Sequence, residues 1–205
     1  RELPSMFRAF EGVYPPGSIL KPIMHCAAAA EGLVQPGEKI ECAGHYLPER
    51  NDMLRCHVYR PAEGRTGTHG PQDAPGALAR SCNIFFYTLG DRLGVDRLIP
   101  WLRRFGMGGR PAAGLAYERQ ARAEGGSETR TVVAGEAPGS LPDPAAAGTR
   151  RDRVSEALLG IGQGTLTWTP LHAAQAYATL ARRGVAVPPT IFAVSLPVSL
   201  TPCCE

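Results

Sequence analysis

The chain contains no long apolar run and carries only a small excess of positive charge. A helix needs about 20 apolar residues to cross a bilayer, and no stretch of the sequence comes close to that length. Lys and Arg number 22 against 19 Asp and Glu, for a net charge of +3. The basic residues are scattered, and their densest group, Arg150, Arg151 and Arg153, is typical of a solvated loop. These patterns argue against a nucleic-acid partner and against a membrane-crossing helix within these residues.

The length and composition favour a single domain. A chain of 205 residues with 43% hydrophobic content can bury one sizeable core. The first residue is not Met, and the sequence begins in the middle of a recognisable pattern. We therefore expect that an N-terminal segment with its targeting signal is missing from this chain.

A serine and a lysine lie one helical turn apart after a rigid turn. The stretch Tyr14–Lys21 reads Y-P-P-G-S-I-L-K, and Pro15, Pro16 and Gly17 cannot continue a regular element. We predict that a helix begins at Ser18, where free backbone N–H groups favour a developing negative charge. Residues i and i+3 share a helix face, so the Lys21 amine can activate the Ser18 hydroxyl as a nucleophile. Taken alone, Ser18 is also explained as a helix cap and Lys21 as a surface lysine.

Two further motifs follow in a fixed order. Arg80-Ser81-Cys82-Asn83 supplies S-x-N, which accompanies S-x-x-K in serine acyl-transferring enzymes. Ile161-Gly162-Gln163-Gly164 opens the pattern I-G-Q-G-x-L-x-x-T-P-L, which runs to Leu171. Taken singly, Ser81 and Asn83 are also explained as helix caps. Gly162, Gln163 and Gly164 are explained equally well as a structural turn or as a substrate-binding segment.

With these three motifs in this order, the chain resembles the transpeptidase domain of class B penicillin-binding proteins. The residues within the motifs are most similar to those of the cell-elongation branch. The resemblance runs from about residue 7 to about residue 189. It implies a mixed α/β (α+β) fold like that of penicillin-binding proteins and serine β-lactamases. We expect mainly the helical subdomain, with an incomplete antiparallel sheet.

The resemblance also implies a reaction and a setting. The reaction is D,D-transpeptidation of peptidoglycan through a serine acyl-enzyme that β-lactams trap, and it requires no diffusible cofactor. Ser18 would attack, Lys21 would be the base, Ser81 would relay a proton, and Asn83 would hold Lys21 and the substrate. The expected partners are a D-Ala-D-Ala stem peptide, β-lactams, a membrane glycan polymerase and cell-shape proteins. The expected location is the periplasmic face of a bacterial inner membrane, with the anchor outside this chain.

The sequence departs from the family pattern at its C-terminal end. K-T-G, which lines the active site in the family, does not occur, and we interpret the tail ending at Glu205 as a truncation or frameshift. In the family the K-T-G lysine places a second cation beside the base. We therefore expect Lys21 to keep its proton here and Ser18 to be a poor nucleophile. A β-lactam sensor domain and a non-catalytic remnant that only packs against partners are the alternative functions.

Three cysteines and one histidine form a separate pattern. Cys42, Cys56, His69 and Cys82 supply the ligand types of a tetrahedral structural zinc site. A disulfide between Cys42 and Cys56, or ordinary buried thiols, would explain the same residues. His57 is a less favourable substitute for His69, because it is adjacent to Cys56.

The remaining pattern gives a domain map. We predict helices at 18–31, 73–79, 83–93, 95–105, 154–160 and 169–183, with Thr169 as the N-cap of the last. Residues 38–75 are predicted to be loop-rich with two short strands. The whole chain is interpreted as one partial transpeptidase domain with a helical core at 18–105 and 154–184. The Gly/Pro/Ala-rich connection at 106–153 is predicted to be a flexible loop. Within it, Gly135–Pro142 resembles a turn of the family, which implies one ordered bend.

Overall fold

A computed structural model describes residues 6–50, 52–122, 129–143 and 153–190. In these residues the helices are α1 Lys21–Ala30, α2 Ala74–Ala79, α3 Asn83–Arg104, α4 Arg153–Gly160 and α5 Pro170–Ala181. The strands are β1 Ile40–Cys42, β2 Tyr59–Arg60, β3 Arg65–Thr66, β4 Gly70–Gln72, β5 Ala116–Arg122 and β6 Thr129–Gly135. The mixture of helices with small antiparallel sheets confirms the predicted fold class.

The chain forms two compact units. The helical unit comprises Pro15–Leu102 with Leu141–Leu166, and the second unit comprises Arg1–Tyr14, Arg103–Ser140 and Thr167–Glu205. The division into a helical core and a flexible connection stays a prediction. Arg150, Arg151 and the tail at 200–205 lie outside the described residues. In the part of the chain that the structure describes, no helix is both long enough and apolar enough to cross a membrane.

Helix α1 is buried along most of its length in the helical unit. Its side chains at Ile23, Met24 and Ala27 are fully buried, as are Phe85, Phe86 and Leu89 of α3. Burial of each of the larger apolar side chains stabilises the fold by about 1.5–3 kcal/mol. The buried length of α1 therefore supports the residues at its N-terminus.

The start of α1 differs from the prediction that a helix begins at Ser18. Residues Gly17–Leu20 form a 3₁₀ turn, in which the Lys21 N–H donates to the Ser18 carbonyl, and the α-helix begins at Lys21. An α-helix starting at Ser18 would need an N–H at residue 22, where Pro22 has none. The tighter i to i+3 bond of the 3₁₀ turn satisfies the Ser18 carbonyl instead.

Helix α3 is two helical segments joined at one residue. Gly94 has φ 64° and ψ 169°, which interrupts the helix between the two predicted segments 83–93 and 95–105. Within the first segment, Gly90 lies so close to α4 that an added Cβ would meet the Glu156 carbonyl and the Gly160 backbone. The pair Gly90 and Gly160 thus lets the two helices approach at backbone distance.

Small antiparallel ladders form where the sequence predicted a loop-rich segment. β1 pairs with β4, with Ile40 opposite Gln72 and Cys42 opposite Gly70. β2 pairs with β3 over two residue pairs. The segment therefore has four short strands, where the sequence predicted two.

The prediction that residues 106–153 form a loop is wrong for residues 116–122 and 129–135, which are strands in the second unit. Strands β5 and β6 pair antiparallel, with Ala116 opposite Gly135, so this connection contains a hairpin. The predicted bend that follows is held by the Glu136 carboxylate, which accepts from the Ala112 N–H at 2.6 Å and the Leu115 N–H at 2.9 Å. Its predicted flexibility stays untested.

Helix α5 starts as its sequence predicts. Thr169 caps the helix, Pro170 follows at the first helical position, and the Thr169 hydroxyl accepts from the His172 N–H. The His172 ring completes a capping box by accepting from the Thr169 N–H at 3.1 Å.

Candidate active site

Ser18 lies at the exposed surface of the 3₁₀ turn, whereas Lys21 is buried below it. Lys21 is 1% exposed and is among the largest fully buried side chains of the molecule. The short turn separates the two side chains, because Leu20 and Lys21 already point into the core. Ser18, the candidate nucleophile, is therefore in contact with solvent, whereas Lys21, the candidate base, is not.

The Lys21 amine donates three hydrogen bonds to the Ser81–Asn83 segment. Nζ lies 2.8 Å from the Ser81 carbonyl oxygen, 2.9 Å from Ser81 Oγ and 2.8 Å from Asn83 Oδ1. Three acceptors match the three hydrogens of an ammonium group. The amine also lies 5.4 Å from the centre of the Phe86 ring, close enough for a cation–π attraction.

Burial lowers the pKa of Lys21 from 10.5 to about 8, although negative charge on Cys56 and Cys82 opposes this shift. Desolvation penalises the ammonium form, whereas nearby thiolates favour it. At pH 7 a lysine with a pKa of about 8 is neutral in about one tenth of molecules. Lys21 therefore keeps its proton in most molecules at neutral pH.

Ser81 connects the lysine to the nucleophile. Its hydroxyl donates to Ser18 Oγ at 3.0 Å and accepts from Lys21. In the described residues no hydrogen bond joins Lys21 to Ser18 directly, so the relation predicted from their i, i+3 spacing passes through Ser81.

The backbone at Ser81 is strained. Ser81 has φ 50°, in the left-handed region. The Ser81 N–H donates to the Leu78 carbonyl and the Cys82 N–H donates to the Ala77 carbonyl, which is the Schellman ending of α2. Glycine usually occupies this position, and another residue costs about 1–2 kcal/mol there. A serine that bears this strain is consistent with a functional role.

Asn83, the first residue of α3, uses both ends of its amide. Its Oδ1 accepts from Lys21, and its Nδ2 donates to the Arg55 carbonyl at 3.0 Å. The side chain is thereby fixed between the base and the loop-rich segment.

The I-G-Q-G segment contacts the turn that carries Ser18. The Gly17 N–H donates to the Gly162 carbonyl at 2.8 Å. Gly162 has φ 69°, and a Cβ there would overlap the Gly17 backbone. This contact favours a structural function for Gly162. Gln163 instead lines the open pocket described next, and Gly164 does not.

These residues surround one open pocket, which we call the nucleophile pocket. Its volume is about 320 Å³, and it is lined by Gly17, Ser18, His57, Ser81, Asn83, Ile161 and Gln163. The sequence indicated His57 only as an alternative metal ligand and gave Ile161 no role. Their positions in the chain point to the pocket, because Ile161 opens the I-G-Q-G motif and His57 follows Cys56.

The predicted metal ligands meet directly beside this pocket. One ligand atom from each of Cys42, Cys56, His69 and Cys82 lies within 4.8 Å of every other, and the three thiols are buried. His69 Nδ1 lies 3.4 Å from Cys56 Sγ and 3.7 Å from Cys42 Sγ. Cys42 and Cys56 are not disulfide-bonded, so the alternative bridge is not formed. His57 stays outside the cluster, with its Nδ1 3.9 Å from Cys56 Sγ.

The cluster has the donor set and electrostatics of a metal-binding site. Hydrogen bonds with Cys42 and Cys82 lower the pKa of the Cys56 thiol, while hydrogen bonds with Cys42 and Cys56 raise the pKa of the Cys82 thiol. A thiolate is the form that ligates a metal. Three thiols and one imidazole fit a closed four-coordinate zinc site, which leaves no open position for catalysis.

Comparison with known proteins agrees with the motifs. The family model described as the penicillin binding protein transpeptidase domain matches residues 4–195. The peptidoglycan D,D-transpeptidase MrdA of Acinetobacter baumannii is 31% identical over 191 residues, which are 90% of this chain and 24% of the relative. MrdA of Haemophilus influenzae is 30% identical over 182 residues, which are 88% of this chain and 25% of the relative. The chain thus spans about a quarter of the length of these curated relatives.

Solved structures give the same result. PBP2 of Pseudomonas aeruginosa, in complex with WCK 5153, superposes with a TM-score of 0.71 at 32% identity, covering 90% of this chain and 36% of that one. PBP2 of Helicobacter pylori, in complex with MreC, has a TM-score of 0.71 at 19% identity and covers 96% of this chain and 32% of that one, which supports the fold alone. The chain therefore belongs to the penicillin-binding protein transpeptidase family, on the elongation-type class B branch of MrdA and PBP2, and covers part of that domain.

Proposed function

We propose that this chain carries the nucleophilic half of a peptidoglycan D,D-transpeptidase site. The observation that carries the proposal is the hydrogen-bonded chain from Ser18 Oγ through Ser81 Oγ to Lys21 Nζ. A neutral lysine amine has two hydrogens and one lone pair. Of the three Lys21 partners, only the Ser81 hydroxyl can donate to that lone pair, because the other two are carbonyl oxygens.

The acylation step follows from this geometry. When Lys21 is neutral, the Ser81 hydroxyl turns to donate to Lys21 Nζ and accepts from Ser18, the reverse of the hydrogen bonds made beside the ammonium form. The Ser18 hydroxyl then gives its proton to Ser81 Oγ while the Ser81 proton passes to Lys21. Ser18 Oγ attacks the carbonyl of the penultimate D-Ala, and the Ser18 N–H stabilises the developing oxyanion. The C–N bond then breaks, the terminal D-Ala leaves with a proton returned through Ser81, and an ester remains on Ser18.

The second step transfers the acyl group. An amine from a neighbouring strand attacks the ester, the C–O bond to Ser18 breaks, and the serine regains a proton. In a β-lactam the broken C–N bond lies within a ring, so the leaving amine stays attached and the acyl-enzyme persists. Asn83, fixed by Lys21 and Arg55, supplies an amide to hold the peptide carbonyl.

Covalent labelling tests this proposal. A fluorescent penicillin should label the chain at Ser18, and Ser18→Ala should abolish the signal without changing the circular dichroism spectrum. Absence of label on the folded wild type would favour the non-catalytic remnant. A second assay separates a transpeptidase from a β-lactam sensor. A transpeptidase should transfer the acyl group of a thioester donor to D-alanine, whereas a sensor should form the acyl-enzyme without transferring the group.

We also propose that Cys42, Cys56, His69 and Cys82 hold a structural zinc ion. Metal binding by residues from four separated segments contributes directly to folding free energy. Metal analysis should find about one zinc per chain, and Cys56→Ser should lose it. Cys26→Ser is the matched control, because Cys26 lies outside the cluster. A folded wild type without zinc contradicts the proposal.

The setting is proposed from the family alone. We propose the periplasmic face of the inner membrane, with a membrane glycan polymerase and cell-shape proteins as partners. The PBP2 of Helicobacter pylori was solved in complex with MreC, which is an assembly of that protein. Co-purification of the tagged chain with membrane fractions tests this assignment.

A further inference from the structure

Cys56 is the thiol of the metal-binding cluster that a small molecule can reach. It lines an open pocket of about 290 Å³ beside Asn83, and neither Cys42 nor Cys82 lines that pocket. None of the three thiols is in a disulfide, and their sulfurs lie within 4.8 Å of one another. A small oxidant that enters this pocket therefore meets Cys56 first.

The strand register makes Cys42 a poor disulfide partner for Cys56. His45 is opposite Arg55 in an antiparallel bridge, and the Cys56 N–H donates to the Gly44 carbonyl at 2.8 Å. Gly44 is therefore opposite Cys56, and Cys42 is its diagonal neighbour. Diagonal neighbours are about 7–8 Å apart, and cysteines whose Cα atoms are more than about 7 Å apart cannot form a disulfide without backbone movement.

Cys82 is the better placed partner. The Cys56 sulfur interacts with both other thiols and with the Asn83 N–H, so the backbone decides between them. The Asn83 side chain donates to the Arg55 carbonyl at 3.0 Å, which holds the residue after Cys82 against the residue before Cys56. The two chain segments that carry Cys56 and Cys82 are thus joined directly.

Adjacent thiols need protection in an oxidising compartment. Disulfides form and persist in the periplasm, where the proposed function places this chain. A sulfur that ligates zinc is not available to form a disulfide, so a bound zinc would keep the three thiols reduced. Loss of zinc would leave Cys56 and Cys82 adjacent, unbonded and within reach of an oxidant.

We propose that Cys56 and Cys82 are an oxidation site whose disulfide, formed when zinc is absent, switches off the reaction at Ser18. The Cys56 thiol attacks hydrogen peroxide, the O–O bond breaks, and a sulfenic acid and one water form. The Cys82 thiol then attacks the Cys56 sulfur, the S–O bond breaks, and the disulfide and a second water form. The two thiols lose two electrons, which the peroxide gains. The effect on Ser18 rests on the proposed transpeptidase function, whereas the disulfide does not.

The disulfide would displace the residue that connects the lysine to the nucleophile. Bonded sulfurs are about 2.05 Å apart, so Cys82 must move toward Cys56, and its neighbour Ser81 moves with it. Ser81 has φ 50° and bonds to Ser18 at 3.0 Å and to Lys21 at 2.9 Å. A misplacement of about 1 Å can slow a reaction about 100-fold. We therefore expect fluorescent penicillin to label the oxidised chain at least about tenfold more slowly.

A chain whose only thiols are those of the cluster tests the proposal. Cys26→Ser, Cys203→Ser and Cys204→Ser together remove the other three thiols of the sequence. This background chain is treated with hydrogen peroxide in its zinc-loaded form and again after zinc is removed by a chelator. Non-reducing peptide mapping by mass spectrometry should find the disulfide between Cys56 and Cys82 in most zinc-free chains and in few zinc-loaded ones. A reductant followed by zinc should restore labelling.

Two further variants of the background chain form a matched pair. Cys42→Ser and Cys56→Ser each remove one candidate zinc ligand, but only the first keeps both thiols of the oxidation site. Peroxide should slow labelling of Cys42→Ser at least about tenfold and that of Cys56→Ser less than about twofold. The amide NMR resonance of Ser81 should shift on oxidation of the first and stay in place in the second. Circular dichroism shows whether each variant is folded, and if Cys42→Ser is not, the background chain decides alone.

A disulfide that includes Cys42, the absence of any disulfide in the zinc-free chain, or a disulfide that leaves the Ser81 resonance in place each overturns the proposal. Labelling of the untreated zinc-loaded chain is scored separately, because it tests the proposed function. Labelling that persists at full rate in the oxidised chain removes the switch and leaves acyl transfer intact. A disulfide with a shifted Ser81 resonance in a chain that is never labelled keeps the oxidation site and removes acyl transfer.

Discussion

Acylation of Ser18 should accelerate steeply with pH, because the reacting form needs a neutral Lys21. Burial lowers the pKa of this lysine to about 8. The neutral fraction then rises from about 1% at pH 6 to about 50% at pH 8 and about 90% at pH 9. The second-order rate constant for labelling by fluorescent penicillin should therefore rise about 90-fold between pH 6 and pH 9, tenfold per pH unit at the acid end.

The assay measures labelled protein by in-gel fluorescence under pseudo-first-order conditions. Penicillin hydrolysis without protein is subtracted at each pH, and Ser18→Ala provides the background. A rate that is constant from pH 6 to pH 9 would refute Lys21 as the base. A rate that still rises about tenfold between pH 8 and pH 9 would show that burial does not lower the lysine pKa in solution.

Four further predictions follow from individual contacts. The unfolded chain holds the Lys21 proton up to about pH 10.5 and the folded chain only to about 8; the free energy of unfolding, measured in urea, should therefore increase between these pH values by up to about 3 kcal/mol. Ser81→Ala removes the hydroxyl between Ser18 and Lys21 and should slow penicillin labelling at least about 100-fold; a loss below about threefold would contradict the relay. Gly162→Ala places a Cβ on the Gly17 backbone and should lower the free energy of unfolding in urea by about 2–4 kcal/mol. The control Gly32→Ala has a similar φ of 68° but open space around it, and should lower the same free energy by about 1 kcal/mol. Equal losses in the two variants would show that the contact with Gly17 is unimportant. Trp101→Phe loses the 2.9 Å hydrogen bond from Nε1 to Glu31 and should cost about 1–3 kcal/mol in the same assay, so an unchanged value would indicate that water replaces this bond.

The sequence predicted those parts of the fold that local chemistry decides. Thr169 and Pro170 start a helix because a side-chain acceptor and a fixed φ satisfy its first turn, and the structure has both. The helix predicted at 73–79 is present as α2, with Asp73 as its N-cap accepting from the Gly76 N–H. The break at Gly94 follows from its freedom to adopt a positive φ.

Other parts depended on contacts that no local pattern contains. Strands β5 and β6 lie in a segment poor in large apolar residues, where composition favours a loop, and their pairing is a property of two segments together. The start of α1 at Lys21 follows from Pro22, which removes one backbone N–H and leaves the Ser18 carbonyl to the i to i+3 bond of a 3₁₀ turn. The hydrogen bonds from Ser81 to Ser18 and Lys21 span 63 and 60 positions of sequence, so the motif spacing could bring these residues together but could not show that Ser81 lies between the other two.

The tripeptide Ser81-Cys82-Asn83 serves both sites at once. Ser81 and Asn83 accept from Lys21, while Cys82 contributes its thiol to the metal-binding cluster. The loop-rich segment that supplies the other three ligands contains strands of only two or three residues, which cannot hold a fixed geometry unaided. A metal bound by all four ligands would tie this segment to the end of α2 and fix the strained turn at Ser81. With that metal bound, the cluster would stabilise the turn that carries Ser81, and we expect loss of the metal to disturb first the alignment of Ser81 between Ser18 and Lys21.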